Sequence, residues 1–215
     1  MTDFATARSR MVDSQIRPSD VTDLRLLWAL QTVERERFVP EKARDFAYAD
    51  YDMPIARGRC LLKPRVFAKL VQQADIKPTD RVLDVGCGLG YSAAVLAELA
   101  SEVTALEQDP ELAAAATKTL AGISKVHVVT GPLAEGYSTG APYNVIVVEG
   151  ATELQPDALL RQLSDGGRLV CILGGGPAGK AMLYQRSGED VGERPLFDAG
   201  AGVLPGFAKP PAFAF

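Results

Sequence analysis

The chain has 215 residues, of which 47% are hydrophobic and 23% are charged, and its formal net charge is −4. This composition predicts a globular protein with one sizeable core and excludes an intrinsically disordered chain. No apolar run approaches the roughly 18 residues of a membrane span, no secretory signal opens the chain, and no broad basic surface is available for nucleic acid, so we expect a cytoplasmic protein.

The cysteines and the single histidine argue against two kinds of site. Cys60, Cys87 and Cys171 are odd in number and widely separated, without metal-ligand spacing, so we expect reduced thiols. His127 has no cluster of Cys, His or Asp near it in the sequence, which argues against a metal site and a Ser-His-Asp triad. Its position in an apolar run, residues 126–129, predicts a structural role.

Residues 1–76 are predicted to form an N-terminal cap of helices and irregular loops. Apolar residues recur there at helical spacing in two stripes that we expect to pack inward. The first stripe consists of Val21, Leu24, Leu27 and Trp28, and the second of Val66, Phe67, Leu70 and Val71. Pro64 stands close to the expected start of the second helix.

From residue 77 to residue 215 the sequence predicts alternating strands and helices. Strands are expected at 82–85, 103–106, 126–129, 145–148 and 168–173, and helices at 91–100, at 110–120 and after Pro156, the last carrying Leu159, Leu160 and Leu163. The tail reads as one strand at 181–185 followed by Gly- and Pro-rich sequence. Strands apolar on both faces and separated by helices predict an α/β domain with a doubly wound, mostly parallel sheet, forming one cooperative unit with the cap.

A glycine turn follows the first predicted strand of this domain. In the run from Asp84 to Tyr91, DVGCGLGY, a strand leads through Gly86, Gly88 and Gly90 into a helix. The missing side chains let the backbone approach a ligand, and the free N–H groups of the helix face the same crevice. Glu107 ends the next strand, where a carboxylate can accept hydrogen bonds from both ribose hydroxyls. Together these features predict a nucleotide-like cofactor.

The spacing of the glycines selects among cofactors. Dinucleotide folds favour GxGxxG, whereas this chain has GxGxG preceded by Asp84. A carboxylate there would repel a pyrophosphate but suits the ammonium group of S-adenosylmethionine. Two alternatives remain. One is a nicotinamide dehydrogenase, which the glycine spacing disfavours, and the other is a purely structural role for the glycines.

Motifs in both parts of the chain resemble those of the protein-L-isoaspartate O-methyltransferase family, which methylates the carboxyl group of isomerised aspartyl residues using S-adenosylmethionine. They are VERERFVP at 33–40, AYAD at 47–50 before MPI at 53–55, the glycine run, PYNVIVV at 142–148, and QLSDGGRLV at 162–170. The resemblance implies a seven-stranded methyltransferase fold and a monomeric repair enzyme that acts on protein or peptide, with neither nucleic acid nor membrane as partner. The cofactor residues expected on this basis and from the turn are Asp84, Gly86, Cys87, Gly88, Gly90, Tyr91, Glu107, Gln108, Gly131, Pro132 and Leu133.

Several positions depart from the family pattern. The substrate loop Thr-Ile-Ser-Gln-Pro, whose hydroxyls help hold the accepting carboxylate, is here Cys60-Leu61-Leu62-Lys63-Pro64. The family's Gly-Asp-Gly motif, which lies by the adenine, is replaced here by Gly131-Pro132-Leu133. Leu133 is still expected to contact the adenine through its backbone. Asn144 stands where the family has an aspartate, and Glu149 stands where the family usually has a threonine after the fourth strand.

Three residues are therefore candidates for the methyl-transfer site. Cys60 would be a weak donor, and Lys63 would attract a substrate carboxylate. Glu149 would repel an anionic acceptor and would suit an amine or hydroxyl acceptor as a base. The alternatives are a half-buried structural Cys60, a solvated Lys63, and a Glu149 that points away and pairs with a nearby Lys or Arg.

Three functional hypotheses follow. The first is O-methylation of L-isoaspartyl carboxyl groups for protein repair, which needs no base because a carboxylate is already ionised at neutral pH. The second is a methyltransferase with another acceptor, and the third is a cofactor-binding module that has lost repair chemistry and recognises a protein partner.

Overall fold

The computed structural model describes residues 3–176 and 178–210. The first two residues of the predicted cap and the last five of the Pro-rich tail lie outside these ranges. Among the described residues, no helix combines the length and the apolar character that crossing a bilayer requires.

The N-terminal cap begins with two helices that acidic side chains initiate. In α1, Phe4–Met11, the Asp3 carboxylate accepts from Thr6 N at 3.1 Å. In α2, Leu24–Thr32, the Asp23 carboxylate accepts from the main chain at 2.8 and 3.2 Å. Such side chains satisfy N–H groups that a helix leaves open at its start. A π-helical turn at Val12–Ile16 and short 3-10 turns at Arg17–Ser19, Arg35–Phe38 and Glu41–Phe46 complete this part.

The predicted first stripe is wrong in part, whereas the second packs as expected. Val21 and Leu27 are buried as predicted, but Leu24 and Trp28 are 75% and 56% exposed. The buried face of α2 carries Leu26 and Leu30 in their place. A nine-residue helix accommodates either of two adjacent stripes, so spacing alone did not separate them. The second stripe lies in α3, Pro64–Ala74, and all four of its predicted residues are buried.

The cap also contains a hairpin that the sequence did not predict. Its strands are β1, Met53–Ala56, and β2, Arg59–Leu61, which pair antiparallel around Gly58. They have four and three residues, too few to show an alternating pattern.

The second part of the chain forms a seven-stranded sheet in the order β5-β4-β3-β6-β7-β8-β9. Strands β3 to β7 are parallel, and β8 and β9 are antiparallel to their neighbours, so the predicted doubly wound, mostly parallel fold is confirmed. The strands are β3 Arg81–Val85, β4 Glu102–Glu107, β5 Val126–Thr130, β6 Tyr143–Thr152, β7 Leu163–Leu173, β8 Lys180–Ser187 and β9 Asp190–Asp198. The helices between them are α4 Tyr91–Leu99, α5 Pro110–Thr119 and α6 Asp157–Leu160.

The end of the chain differs from the prediction at two places. Helix α6 has only four residues, and Leu163, expected in that helix, begins β7. Strand β9 was not predicted, because it contains Gly192 and Pro195 and is mostly exposed. Pro195 is tolerated because β9 is an edge strand with a register shift beside it.

Strand order places a crevice at the carboxyl end of β3. The chain proceeds from β3 to β4 and β5 on one side and then returns to β6 on the other. Ligands of open α/β sheets bind where the strand order reverses in this way. His127 lies on the far edge strand, 62% exposed and 3.9 Å from Glu102, well away from that crevice in the strand order.

The buried guanidinium of Arg35 holds the cap segments together. Arg35 is fully buried and donates to Ala47 O and to Leu62 O, both at 2.7 Å. Its guanidinium also stacks over the Tyr91 ring, 4.7 Å from the centroid, and so joins the cap to α4.

We predict that Arg35→Ala lowers the free energy of unfolding by about 3–5 kcal/mol, since it leaves a cavity and two buried carbonyl groups without donors. Arg37→Ala is the matched control from the same turn, because its side chain is 59% exposed and pairs with an exposed Glu34. It should cost less than about 1 kcal/mol. Chemical denaturation measures both, and equal losses would contradict the prediction.

Candidate functional site

The turn after β3 uses its glycines for left-handed backbone conformations. Gly86, Gly88 and Gly90 have φ angles of +84°, +57° and +98°. Residues with a Cβ atom rarely adopt such angles, which explains why glycine stands at each position. The turn is fixed to the neighbouring strand, because Gly86 N and Cys87 N both donate to Leu106 O, at 2.8 and 3.2 Å.

Glu107 ends β4 beside this turn, and its carboxylate is fully buried. Gly88 N donates to its Oε2 at 2.9 Å, while Gln108 N and Asp109 N donate to its Oε1 at 2.8 and 3.0 Å. The structure therefore brings together the glycine turn and the acidic residue that the sequence suggested as parts of one site.

The residues expected near an adenine lie next to Glu107. Gly131 N donates to Glu107 O at 3.1 Å, and Leu133 N donates to the Gln108 side-chain oxygen at 3.4 Å. Pro132 precedes the short 3-10 turn that Leu133 begins. Asn144, the departure from the expected aspartate, has a structural partner, since its Oδ1 accepts from Arg81 N at 2.9 Å.

Arg59, which the sequence analysis did not single out, forms a bidentate ion pair with Glu107. Arg59 Nη1 lies 2.5 Å from Glu107 Oε1, and Nη2 lies 2.8 Å from Oε2. Nη2 also donates to Gly86 O at 3.1 Å, and the Arg59 side chain is 5% exposed. In the sequence, the only sign that Arg59 belongs to the site was its position directly before the altered loop Cys60–Pro64. No local pattern shows that β2 contacts β4.

Two more buried carboxyl groups lie at the same edge of the sheet. Asp84 Oδ2 accepts from Ser92 Oγ at 2.6 Å, but Asp84 Oδ1 has no hydrogen-bond partner among the described residues. Glu149 lies in a bulge of β6 where the pairing with β7 shifts register, and neither of its oxygens has such a partner. Bulges commonly re-aim a side chain near a site. Glu149 forms no ion pair within the described ranges, although the Arg35 guanidinium is near enough to attract its carboxylate.

Burial changes the protonation of both groups. The pKa of Asp84 is raised to about 7, mainly by burial; the Ser92 hydrogen bond opposes the change, repulsion by Glu107 adds to it, and the Arg59 charge opposes it. Burial also raises the pKa of Glu149 well above its usual range, with a contribution from Asp84, while the Arg35 guanidinium lowers it. Both groups therefore favour their neutral forms more than an exposed carboxyl does.

Tyr91 and Cys87 lie beneath the surface of the crevice. The Tyr91 ring packs against Phe38 and Phe67, with centroid distances of 5.8 and 5.6 Å, and its hydroxyl has no hydrogen-bond partner among the described residues. Cys87 is 3% exposed, and burial raises the pKa of its thiol well above the ordinary value.

Cys60 and Lys63 lie on the cap side of the crevice. Cys60 is half-buried in β2, and burial raises the pKa of its thiol. Lys63 precedes α3 and lines a cleft of about 500 Å³ together with Asp52, Gly176 and residues 200–203. The structure thus puts Lys63 in an open cleft, whereas Glu149 is enclosed.

The chemistry of these groups suits an S-adenosyl nucleoside. The unpartnered Asp84 Oδ1 calls for a donor such as an ammonium group, and the left-handed glycines let a ligand approach the main chain. Glu107 carries the acceptor oxygens that ribose hydroxyls need, although Arg59 now donates to them. The residues fit the cofactor once Arg59 is withdrawn.

The raised pKa of Asp84 predicts how stability changes with pH. The pKa of Asp84 in the folded state lies above the ordinary 3.8, so at intermediate pH the folded state keeps a proton that the unfolded state has lost. The stability contributed by this proton is complete below about pH 4 and disappears as the pH rises through 7. Asp84→Asn stays neutral, so relative to wild type it should gain about 2–4 kcal/mol between pH 4 and pH 8. Denaturation across that range measures the difference, and the exposed Asp198→Asn controls for a lost surface charge. A difference independent of pH would count against a buried, raised carboxyl.

Comparison with known proteins places this chain in a family. The family model described as protein-L-isoaspartate(D-aspartate) O-methyltransferase matches residues 6–194. The protein-L-isoaspartate O-methyltransferase of Koribacter versatilis is 42% identical over 176 residues, which cover 81% of this chain and 79% of the relative. Protein-L-isoaspartate O-methyltransferase 1 of Rhodopseudomonas palustris is 40% identical over 194 residues, with 88% and 79% covered.

Solved structures agree on the fold. A protein-L-isoaspartate O-methyltransferase structure has a TM-score of 0.80 at 21% identity, covering 93% of this chain and 66% of its own. A structure from Plasmodium falciparum, assigned to the same activity and in complex with S-adenosyl-L-homocysteine, has a TM-score of 0.77 at 16% identity, covering 95% and 99%. The family suggested by the sequence motifs is confirmed by the extent of the family match and the identity of the relatives: the chain belongs to the protein-L-isoaspartate(D-aspartate) O-methyltransferase family.

Proposed function

We propose that this chain transfers the methyl group of S-adenosylmethionine to the carboxyl group of L-isoaspartyl residues in damaged proteins or peptides. The observation that carries the proposal is the left-handed glycine turn whose Gly88 N–H donates to the buried Glu107 carboxylate. The relatives named above have this activity in their names, and the Plasmodium falciparum structure holds S-adenosyl-L-homocysteine. A monomeric state and a cytoplasmic location stay predictions.

The residues of the crevice have separate parts in holding the cofactor. Glu107 would accept from the ribose hydroxyls, Asp84 would hold the ammonium group, and Gln108 with the Leu133 main chain would meet the adenine. Gly86 and Gly88 would let the ligand approach the main chain once the neighbouring side chains move aside. Cys87, Gly90, Tyr91, Gly131 and Pro132 would shape the surrounding walls. When bound, S-adenosylmethionine supplies an electrophilic methyl group on sulfur.

Positive charge favours an anionic peptide on the cap side. The cleft of about 500 Å³ around Lys63 adjoins a second one, where the three cations Lys63, Arg65 and Lys69 outnumber the single carboxylate of Asp198. In this proposal Lys63 attracts the isoaspartyl carboxylate and replaces the missing loop hydroxyls with a point charge. Burial and the Asp52 charge raise the pKa of the half-buried Cys60 thiol against the opposing effect of Arg59, so Cys60 is not activated as a nucleophile.

The buried Glu149 can serve an anionic acceptor. An ionised Glu149 would repel a carboxylate, but burial raises the pKa of Glu149 well above its usual range and so favours the protonated form. A protonated Glu149 donates a hydrogen bond, as the hydroxyl-bearing residues of the family pattern do. It would hold the acceptor carboxylate in line with the methyl group and take no proton, because the carboxylate is already ionised.

A second acceptor class is favoured by the same observation. Both oxygens of Glu149 lack partners among the described residues, so an ionised Glu149 could act as a base toward an amine or hydroxyl. The two readings differ in the protonation of Glu149 and in the chemistry of the product.

We predict that the purified chain incorporates radiolabelled methyl groups from S-adenosylmethionine into an L-isoaspartyl peptide in a saturable manner. The product should be a base-labile ester, and the matched L-aspartyl peptide should remain unlabelled. No incorporation at high enzyme concentration would contradict the proposal, whereas a base-stable methylated product would support the second acceptor class.

Variants of Glu149 distinguish a hydrogen-bond donor from a base. Glu149→Gln keeps a donor at the same position and should retain kcat within about fivefold, whereas Glu149→Leu should lower it by about 10- to 100-fold, the cost of a lost hydrogen bond to a charged group. Single-turnover methyl transfer measures both variants. If Glu149→Gln is as impaired as Glu149→Leu, the ionised carboxylate is required and the base reading gains support.

A further inference from the structure

The β1–β2 hairpin closes over the glycine turn and Glu107, and Arg59 lies at the centre of this closed arrangement. The hairpin extends from the cap to the carboxyl end of β4, where Arg59 forms its two-point contact with Glu107. Its Nη2 group also donates to Gly86 O, so a single guanidinium spans the glycine turn and the acidic residue beside it. No other cation lies within ion-pair distance of Glu107 in the described part of the chain.

The Glu107 carboxylate has no acceptor capacity left for a ligand. Its Oε1 accepts from Arg59, Gln108 N and Asp109 N, and its Oε2 accepts from Arg59 and Gly88 N. A carboxylate offers about four lone-pair positions, and these five donors use them. The three main-chain donors belong to the fold of the turn, so only the two Arg59 donors can be exchanged for hydroxyl groups.

Apolar side chains complete the closure on both sides of Arg59. A Cβ atom placed on Gly88 would collide with Ile55 Cδ1 of the hairpin. A Cβ atom on Gly86 would lie 3.2 Å from Leu204 Cδ1 and 3.3 Å from Arg59 Nη2. Space next to both glycines is thus filled by the protein itself.

The closed arrangement contains a feature that favours opening. Arg59 Nε is buried without a hydrogen-bond partner among the described residues, and a buried unpaired donor costs free energy. The hairpin that carries Arg59 is held together by only three residue pairs, and a register shift separates the Arg59 pair from the other two. Short two-stranded hairpins have little stability of their own.

We propose that Arg59 is an internal competitor of the cofactor for Glu107, so that the nucleoside binds only when the hairpin withdraws the guanidinium. The inference rests on the proposed function in assigning the ribose to Glu107. The apparent affinity for the cofactor is then lowered by the fraction of molecules that are closed. Because residues 60–64 follow Arg59 directly, opening for the cofactor also shifts the loop beside the acceptor cleft.

The test compares Arg59→Gln with Arg57→Gln, an exposed arginine of the same hairpin. Titration calorimetry with S-adenosylhomocysteine should show binding at least about tenfold tighter for Arg59→Gln than for wild type, with Arg57→Gln unchanged. Arg59→Lys keeps a charge beside Glu107 but loses the two-point contact, so it serves if the Gln variant does not fold and should bind several-fold more tightly. Equal or weaker binding by folded Arg59 variants overturns the proposal.

A second measurement needs no cofactor. Cys87, 3% exposed between Gly86 and Gly88, reports opening through its rate of labelling by a thiol reagent, located by mass spectrometry. The rate should rise about tenfold in Arg59→Gln, while Cys171, buried in β7, stays unlabelled as the internal control. Unchanged Cys87 labelling overturns the closing role of Arg59. Absence of any heat with all the proteins would refute the proposed function, and the labelling rates would still decide whether Arg59 closes the site.

Discussion

The buried carboxylate of Glu107 is the interaction on which the site depends. An ion without solvent is costly unless its oxygens are fully hydrogen-bonded, and here the main chain of the glycine turn and of the start of the next loop supplies three donors. The geometry of the turn and the position of the carboxylate therefore determine each other. Gly88 combines the donor to Oε2 with a φ of +57°, which residues with a Cβ atom rarely adopt.

The features that the sequence predicted are those that depend on local or repeated patterns. The βαβα alternation, the glycine turn and Glu107 were recognisable because period, turn chemistry and spacing are contained in a short stretch of chain. The β1–β2 hairpin and β9 were missed because short strands and edge strands containing Gly and Pro lack an alternating pattern. The face of α2 was misplaced because nine residues allow two neighbouring stripes.

The parts of the site that sequence could not predict come from long-range packing. Arg59 meets Glu107 across 48 positions of the chain, and this contact depends on how the cap lies over the sheet. Similarly, the unpartnered state of Glu149 results from a bulge in β6 and from the burial of its surroundings. Neither property leaves a signature in the residues next to Arg59 or Glu149, so only the folded structure reveals them.

One wall of the crevice is contributed by a segment far along the chain. Leu204 contacts the position of Gly86, and its main chain is fixed to β6 because Leu204 N donates to Ala151 O and Ala151 N donates to Gly202 O, both at 2.9 Å. This wall is complete only when residues 202–204 are paired with β6, so a change that loosens that pairing also loosens the packing beside Gly86.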